Sequence, residues 1–325
     1  MGMTRQISYL MLILMAFFSF ESVVLAQETY PSKPIRSIVP FPPGGATDLI
    51  VRALGETMSK HLKQPLVTTN FSGASGIVGI NETVKSKPDG YTMVSCGATI
   101  AMPELYIKFN QTPLTSKDLA PVAQWSTFIQ AVAVKKDAPW KTMKEFMEAA
   151  RGKELKFGGP GKTSGNFVIG LALGKKFDAK LVGIPFKGDA ESITALLGGH
   201  IDMAILVIAS AQPHVEAGTM KLLALINDER LSDFPDVPTT AEVGYDVGLS
   251  YFPFGTYVHK DTPADRIKIL SEAIKKTAGD ESFKLNMRRL RMPIKYLDTE
   301  ACIKNLATTK KVVTEIFQDL GYLPK

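Results

Sequence analysis

"FPPGGATD", residues 41–48, stands between an extended apolar stretch, "IRSIVP" (35–40), and a run with helical spacing, "DLIVRALGETMSKHL" (48–62). Two prolines and two glycines at the exit of a strand, where a helix begins, leave the main chain bare. Gly44 and Gly45 have no side chain to shield it and admit positive φ. The first-turn N–H groups of the helix lack intrahelical partners, and the helix dipole adds positive potential there. The stretch therefore reads as a seat for a small anion, or as a tight turn and helix cap with nothing bound. It lacks the third glycine of a dinucleotide fingerprint. Asp48 falls in the first helical turn, where an acid suits the dipole.

The same logic recurs. "SGASGIVG" (72–79) brings Gly73, Gly76 and Gly79 with the hydroxyls of Ser72 and Ser75. Loops at the ends of consecutive strands lie side by side, at the edge where open α/β sheets bind ligands. "GGPGKTSG" (158–165) ends like a phosphate-binding loop, but Lys156 occupies the place of its first glycine. It reads instead as a third ligand-facing loop, with Thr163, Ser164 and nearby N–H groups as donors. "FKGDAESITALLGG" (186–199) is a fourth, in which Asp189 is expected as the N-cap.

Around these loops, apolar strand-like runs alternate with helical patterns, which predicts parallel sheets wrapped by helices. Strand–glycine loop–helix junctions in the first and the middle third predict two similar α/β domains facing each other. A helix is expected over 47–62 with Leu49, Ile50, Ala53, Leu54, Met58 and Leu62 on its buried face. "PVAQWSTFIQAVAVKK" (121–136) is long and low in breakers, a strand passing from one domain to the next. The chain closes with helices around 263–278 and 299–319.

Composition sets the bounds. The chain has 325 residues, 45% hydrophobic and 22% charged, enough for two domains. Arg5, the apolar run "ISYLMLILMAFFSF" (7–20) and "VVLA" (23–26) make residues 1–26 an expected secretory signal, cleaved before Gln27. Losing Arg5 and Glu21 leaves 37 basic against 31 acidic residues, so the charge stays +6. The basic residues are scattered, with no basic–aromatic stripe for nucleic acid. Cys96 and Cys302 are expected as separate buried thiols. His61, His200, His214 and His259 lack ligand spacing, so neither a metal nor another cofactor is expected. There is no G-x-S-x-G elbow and no evident acid–base pair, so no catalytic residue is assigned.

In this order the loops resemble those of the solute receptors of tripartite tricarboxylate transporters, the Bug family of periplasmic binding proteins. The resemblance spans about 29–325 and rests on "YPSKPIRSIVPFPPGGATD", "KPDGYTM", "PFKGDAESITALLGGHIDM" and "FPDVPTTAEVG". It implies a two-domain, clam-like α/β fold of the type II periplasmic-binding kind with a central ligand cleft. A first domain over 27–128 crosses to a second over 129–249, and 250–325 returns to the first. It also implies a small carboxylate held chiefly by backbone amides, with no enzyme activity. Matched residues are Gly44, Gly45, Ala46, Thr47 and Asp48 in the first loop, Gly73, Ala74, Ser75 and Gly76 in the second, and Lys187, Gly188, Asp189 and Ala190 in the fourth. Phe41, Pro43, Thr99, Thr163, Ser164 and Gly165 complete the candidate ligand-binding set.

The sequence departs from the family where a Thr-His pair often stands, here Ala98 and Thr99. It departs again at Asn166-Phe167, where the family often has Ser-His, and at Ile205, Leu206 and Val207, where it often has Phe-Asp-Asn. Apolar groups in place of polar ones point to a solute with one carboxylate and an apolar or aromatic body. The expected role is a monomeric periplasmic receptor delivering that solute to the membrane subunits of a tripartite transporter. A periplasmic sensor on the same fold is the alternative.

Overall fold

The computed structural model describes residues 29–106, 112–162, 164–249 and 252–324. The expected signal segment 1–26 and Thr163 lie outside the described residues. All the named elements belong to one compact unit, Lys33–Lys325.

The first sheet has the order β11-β4-β10-β3-β1-β2. Its strands are β1 (Ile35–Val39), β2 (Leu66–Asn70), β3 (Thr92–Gly97), β4 (Leu119–Phe128), β10 (Phe252–His259) and β11 (Ile294–Leu297). The second has the order β7-β6-β8-β5-β9. It is built from β5 (Gln130–Lys135), β6 (Leu155–Pro160), β7 (Leu181–Phe186), β8 (Met203–Val207) and β9 (Met220–Ile226). Helix α1 (Ala46–Leu62) and α2 (Ile77–Val84) follow β1 and β2. α3 (Met143–Gly152), α4 (Gly165–Lys176), α5 (Asp189–Leu197) and α6 (Ile208–Glu216) surround the second sheet. α7 (Ala264–Gly279), α8 (Glu281–Arg289) and α9 (Thr299–Asp319) close the chain. Each sheet with its helices is called a lobe below.

Both sheets are mixed, which corrects the expectation of parallel ones. β1 pairs in parallel with β2 and β3, but β10 runs antiparallel to β3 and β4. In the second lobe β6 is parallel to β7 and β8, while β5 opposes β8 and β9. The reason is the crossing. The chain leaves the first sheet at Phe128 and enters the second at Gln130, and it is back in the first sheet at Phe252, opposite Phe128. A strand that has just come from the other lobe must run away from the junction. The strands that end in glycine loops run toward it. Opposite directions in one sheet follow, and the loops of both lobes end up on the same side.

The apolar pattern explains most of the packing. β8, "MAILV", lies between β6 and β5 and is buried at every position, as expected of a strand covered on both faces. Edge strands β2 and β7 are only partly buried. α1 packs against β1 and β2 on one side and α7 and α8 on another, so its buried arc is wider than one stripe. Val51 joins Ile50, Ala53, Leu54, Met58 and Leu62 inside, and Leu49, expected inside, is 41% exposed. α8 and β11 were not expected. α8 buries only Phe283 and Met287 and starts on an Asp280 cap, and β11 is a four-residue edge strand. Cys96 and Cys302 are both buried and unpaired.

The second lobe's core is tight where α4 crosses β6. A Cβ on Gly170 would stand 2.2 Å from the Phe157 ring. Gly170→Ala should therefore destabilise the protein by about 1–3 kcal/mol, the usual cost of overpacking, read from the urea midpoint. A midpoint at or above that of the parent chain would contradict this packing.

Candidate functional site

The first loop turns from β1 into α1 through Gly44, whose φ of +80° favours glycine. Asp48 does not face outward from it. Its carboxylate accepts the Gly44 N–H at 2.9 Å, Arg52 Nε at 3.0 Å and Asn70 Nδ2 at 2.9 Å. Asn70 Nδ2 also donates to the Phe41 carbonyl at 3.0 Å, which ties the loop to β2. Burial alone would raise the Asp48 carboxyl, but bonds from Arg52, Gly44 and Asn70 hold it below its ordinary value. With Arg52 beside it, Asp48 stays ionised and is spent on the loop's shape. The N–H groups of the α1 first turn are left for something else.

The second loop behaves differently. Gly73, Ala74, Ser75 and Gly76 all have positive φ, from 45° to 139°, a costly geometry for Ala74 and Ser75. Ser75 Oγ accepts the Lys162 N–H at 3.1 Å from the third loop, in the other lobe. A Cβ on Gly161 would come within 2.6 Å of that oxygen. None of the four second-loop residues lines the cavity described below. Ser75 is the loop's contact with the other lobe.

The third and fourth loops engage several of their own polar groups. Ser164 is the N-cap of α4: its Oγ accepts the Phe167 N–H at 3.2 Å and donates to the Gly161 carbonyl at 3.2 Å. Its hydroxyl is thus engaged, although the residue lines the cavity. The N-cap of α5 is Gly188, not Asp189. Asp189 is buried, and burial pushes its carboxyl up to about 6 against bonds from Ser210 and the Val207 main chain. Lys187 donates its N–H to Glu191 Oε2 at 3.0 Å and its ammonium lies 3.8 Å from Glu191 Oε1.

Loops one, three and four meet around a cavity of about 260 Å³, room for a small metabolite. The expected residues in its wall are Phe41, Pro43, Gly45, Ala46, Thr47, Thr99, Ser164, Gly165, Lys187, Gly188, Asp189 and Ala190. Gly44 and Asp48 are not in the wall. The first turns of α1, α4 and α5 all border it, through Ala46–Thr47, Gly165–Asn166 and Asp189–Glu191. Sequence reasoning missed Pro42, Gly97, Ile100, Phe128, Gln130, Pro160, Glu191 and Phe252 as wall residues. Phe128, Gln130 and Phe252 flank the two crossings between the sheets, a position that a strand pattern alone does not reveal. Of the departures named above, Thr99, Asn166 and Val207 line the cavity, while Ala98, Phe167, Ile205 and Leu206 belong to the core. The wall's apolar character comes from Val207 together with Phe41, Ile100, Phe128 and Phe252.

The buried Asp189 makes a pH signature. An acid with a raised folded pKa binds its proton more tightly in the folded state, so folding loses stability as pH rises from about 4 to about 6. Asp189→Asn removes that loss. The variant's stability relative to the parent should rise across this window by roughly 3 kcal/mol at most, measured by urea melts. Parallel pH profiles would contradict the burial of an ionisable carboxyl here.

Residues 50–322 match the family model described as the tripartite tricarboxylate transporter family receptor. A Cupriavidus necator protein, the UPF0065 protein in the gbd 5' region, is 31% identical over 300 residues, 90% of this chain and 89% of its own. The crystal structure of a TctC solute-binding protein from Polaromonas shares 32% identity and a TM-score of 0.68, covering 89% of this chain and 99% of that one. The periplasmic binding protein BugD shares 26% identity and a TM-score of 0.81, covering 90% and 99%. Proteins of this kind are periplasmic solute-binding receptors rather than enzymes. The chain belongs to the tripartite tricarboxylate transporter receptor family.

Proposed function

We propose that this receptor binds one small carboxylate between its two lobes and delivers it to the membrane subunits of a tripartite transporter, acting in the periplasm after removal of residues 1–26. The observation that carries the reading is the convergence of three helix N-termini, those of α1, α4 and α5, on one cavity. Each end presents N–H groups without intrahelical partners and a positive dipole end. Among the described residues, the one basic side chain in the wall, Lys187, is already beside Glu191. The charge of the guest is therefore met by main chain rather than by arginine.

The first loop is the better seat for the carboxylate. Its single acid, Asp48, is balanced by Arg52 at 3.0 Å, whereas the α5 end carries both Asp189 and Glu191 against Lys187 alone. Micromolar capture needs about −8 kcal/mol. A few charge-assisted hydrogen bonds of about 1.5–3 kcal/mol each, with burial of an apolar body against Phe41, Phe128 and Phe252, can supply it after association costs. The two sheets serve as the domains, 27–128 with 250–325 and 129–249. A bound solute touching both stabilises the closed arrangement that a membrane partner can recognise.

Two outcomes are expected. In thermal-shift and calorimetric titrations, small monocarboxylic acids should stabilise the protein, and their primary amides should not. Equal binding of acid and amide would overturn the reading. Ala46→Pro should weaken acid binding about tenfold or more with little change in the unliganded melting point. Proline suits the first helical position and removes only an N–H that the helix does not use, and Gly45 before it is extended. Unchanged affinity in that variant would move the carboxylate away from α1.

A further inference from the structure

Resting on the carboxylate reading above, we propose that the solute also carries a hydrogen-bond donor, a hydroxyl or ammonium group, that is received by Gln130 Oε1 and Asp189 Oδ1. Both residues are in the cavity wall, and both are more than nine-tenths buried. Each leaves one oxygen shut off from bulk water and without a hydrogen-bond partner. Buried acceptors are seldom left unpaired, and two in one small cavity mark the place where the fold alone does not complete the bonding.

The orientation of the Gln130 amide follows from its neighbours. The Ile205 carbonyl can only accept, and it takes the Asn166 Nδ2 bond at 2.8 Å. Asn166 Oδ1 therefore faces Gln130 and accepts Gln130 Nε2 at 2.8 Å. The Gln130 atom left without a partner is the carbonyl oxygen, an acceptor. Turning the amide over would set two N–H groups or two oxygens against each other.

The two residues share a neighbour. Gln130 on β5 is the register partner of Val207 on β8. The Asp189 carboxylate is held by the Val207 main chain and by Ser210. Val207, itself a wall residue, thus lies beside both residues. The Gln130 oxygen is held by the amide's bond to Asn166, and the soft terminal torsion of Asp189 lets its oxygen turn toward an entering donor. A methyl end would leave both acceptors unpaired. A second carboxylate would set lone pairs against lone pairs and a negative charge against Asp189 and Glu191. A hydroxyl or ammonium end satisfies them.

The test uses matched acids that differ only at the far end, titrated by calorimetry into the purified exported protein at pH 7.5. One series is hexanoate, 6-hydroxyhexanoate, 6-aminohexanoate and adipate. The other is benzoate, 4-hydroxybenzoate, 4-(aminomethyl)benzoate and terephthalate. In the series that fits the cavity, a donor-ended acid should bind about tenfold or more tightly than both the apolar-ended acid and the diacid. Whether hydroxyl or ammonium leads distinguishes a neutral donor from a charged one. In Gln130→Leu and in the isosteric Asp189→Asn the preference should shrink to about threefold or less. Equal or tighter binding of the apolar-ended acid or the diacid overturns the proposal, as does an unchanged preference in both variants. If 6-hydroxyhexanamide binds as well as 6-hydroxyhexanoate, the carboxylate reading fails instead. No binding by any member of either series overturns both.

Discussion

An N–H group in the first turn of a helix has no partner within that helix. Everything distinctive about this protein follows from where three such turns are placed. α1, α4 and α5 each begin after a strand that ends at the junction of the lobes, and each begins beside a glycine that keeps the main chain open. Hydrogen-bond capacity that would elsewhere be met by water or a cap is turned into one shared cleft. The side chains around it are arranged so as not to compete. Asp48 turns back on its own loop, and Ser164 caps its own helix.

Strand direction makes that placement possible. The only strands that can present loops to the junction are those that run toward it. The chain therefore has to cross between the sheets at Phe128–Gln130 and come back beside itself at Phe252. The strands at the two crossings, β4 and β10, are adjacent and antiparallel. Other contacts also join the lobes: Val313 and Phe317 of α9 share a buried cluster with Phe157 and Leu173. Ser75 against Gly161 and Lys162 is another such contact. The left-handed backbone of Ala74 and Ser75 is the local cost of projecting that hydroxyl across.

Much of this was legible in the residues. Glycine-rich turns between an apolar strand and a periodic helix have few other uses, so all four loops could be located, and the long run 121–136 could be read as a crossing. The direction in which a loop faces is another matter. "SGASG" and "PPGG" look alike as text, yet one contacts the opposite lobe and the other borders the cavity, because that depends on the register of strands far apart in the chain. The role of Asp189 was misread for a related reason. A cap is recognised by local spacing, but this carboxylate is held by Val207 and Ser210 from the next strand and helix. Mixed pairing in the sheets and the wall residues at the crossings were hidden by the same long-range dependence. α8 was hidden by its short polar sequence, which carries little apolar periodicity.

The central claim is that main-chain N–H groups from both lobes hold one anion. Amide nitrogen and proton shifts, with hydrogen exchange, measured residue by residue with and without a bound acid, address it directly. The account predicts large downfield proton shifts and slowed exchange together at Ala46 and Thr47 in one lobe and at Gly165 and Ala190 in the other. Changes confined to a single lobe, or to side chains with these amides unmoved, would contradict it.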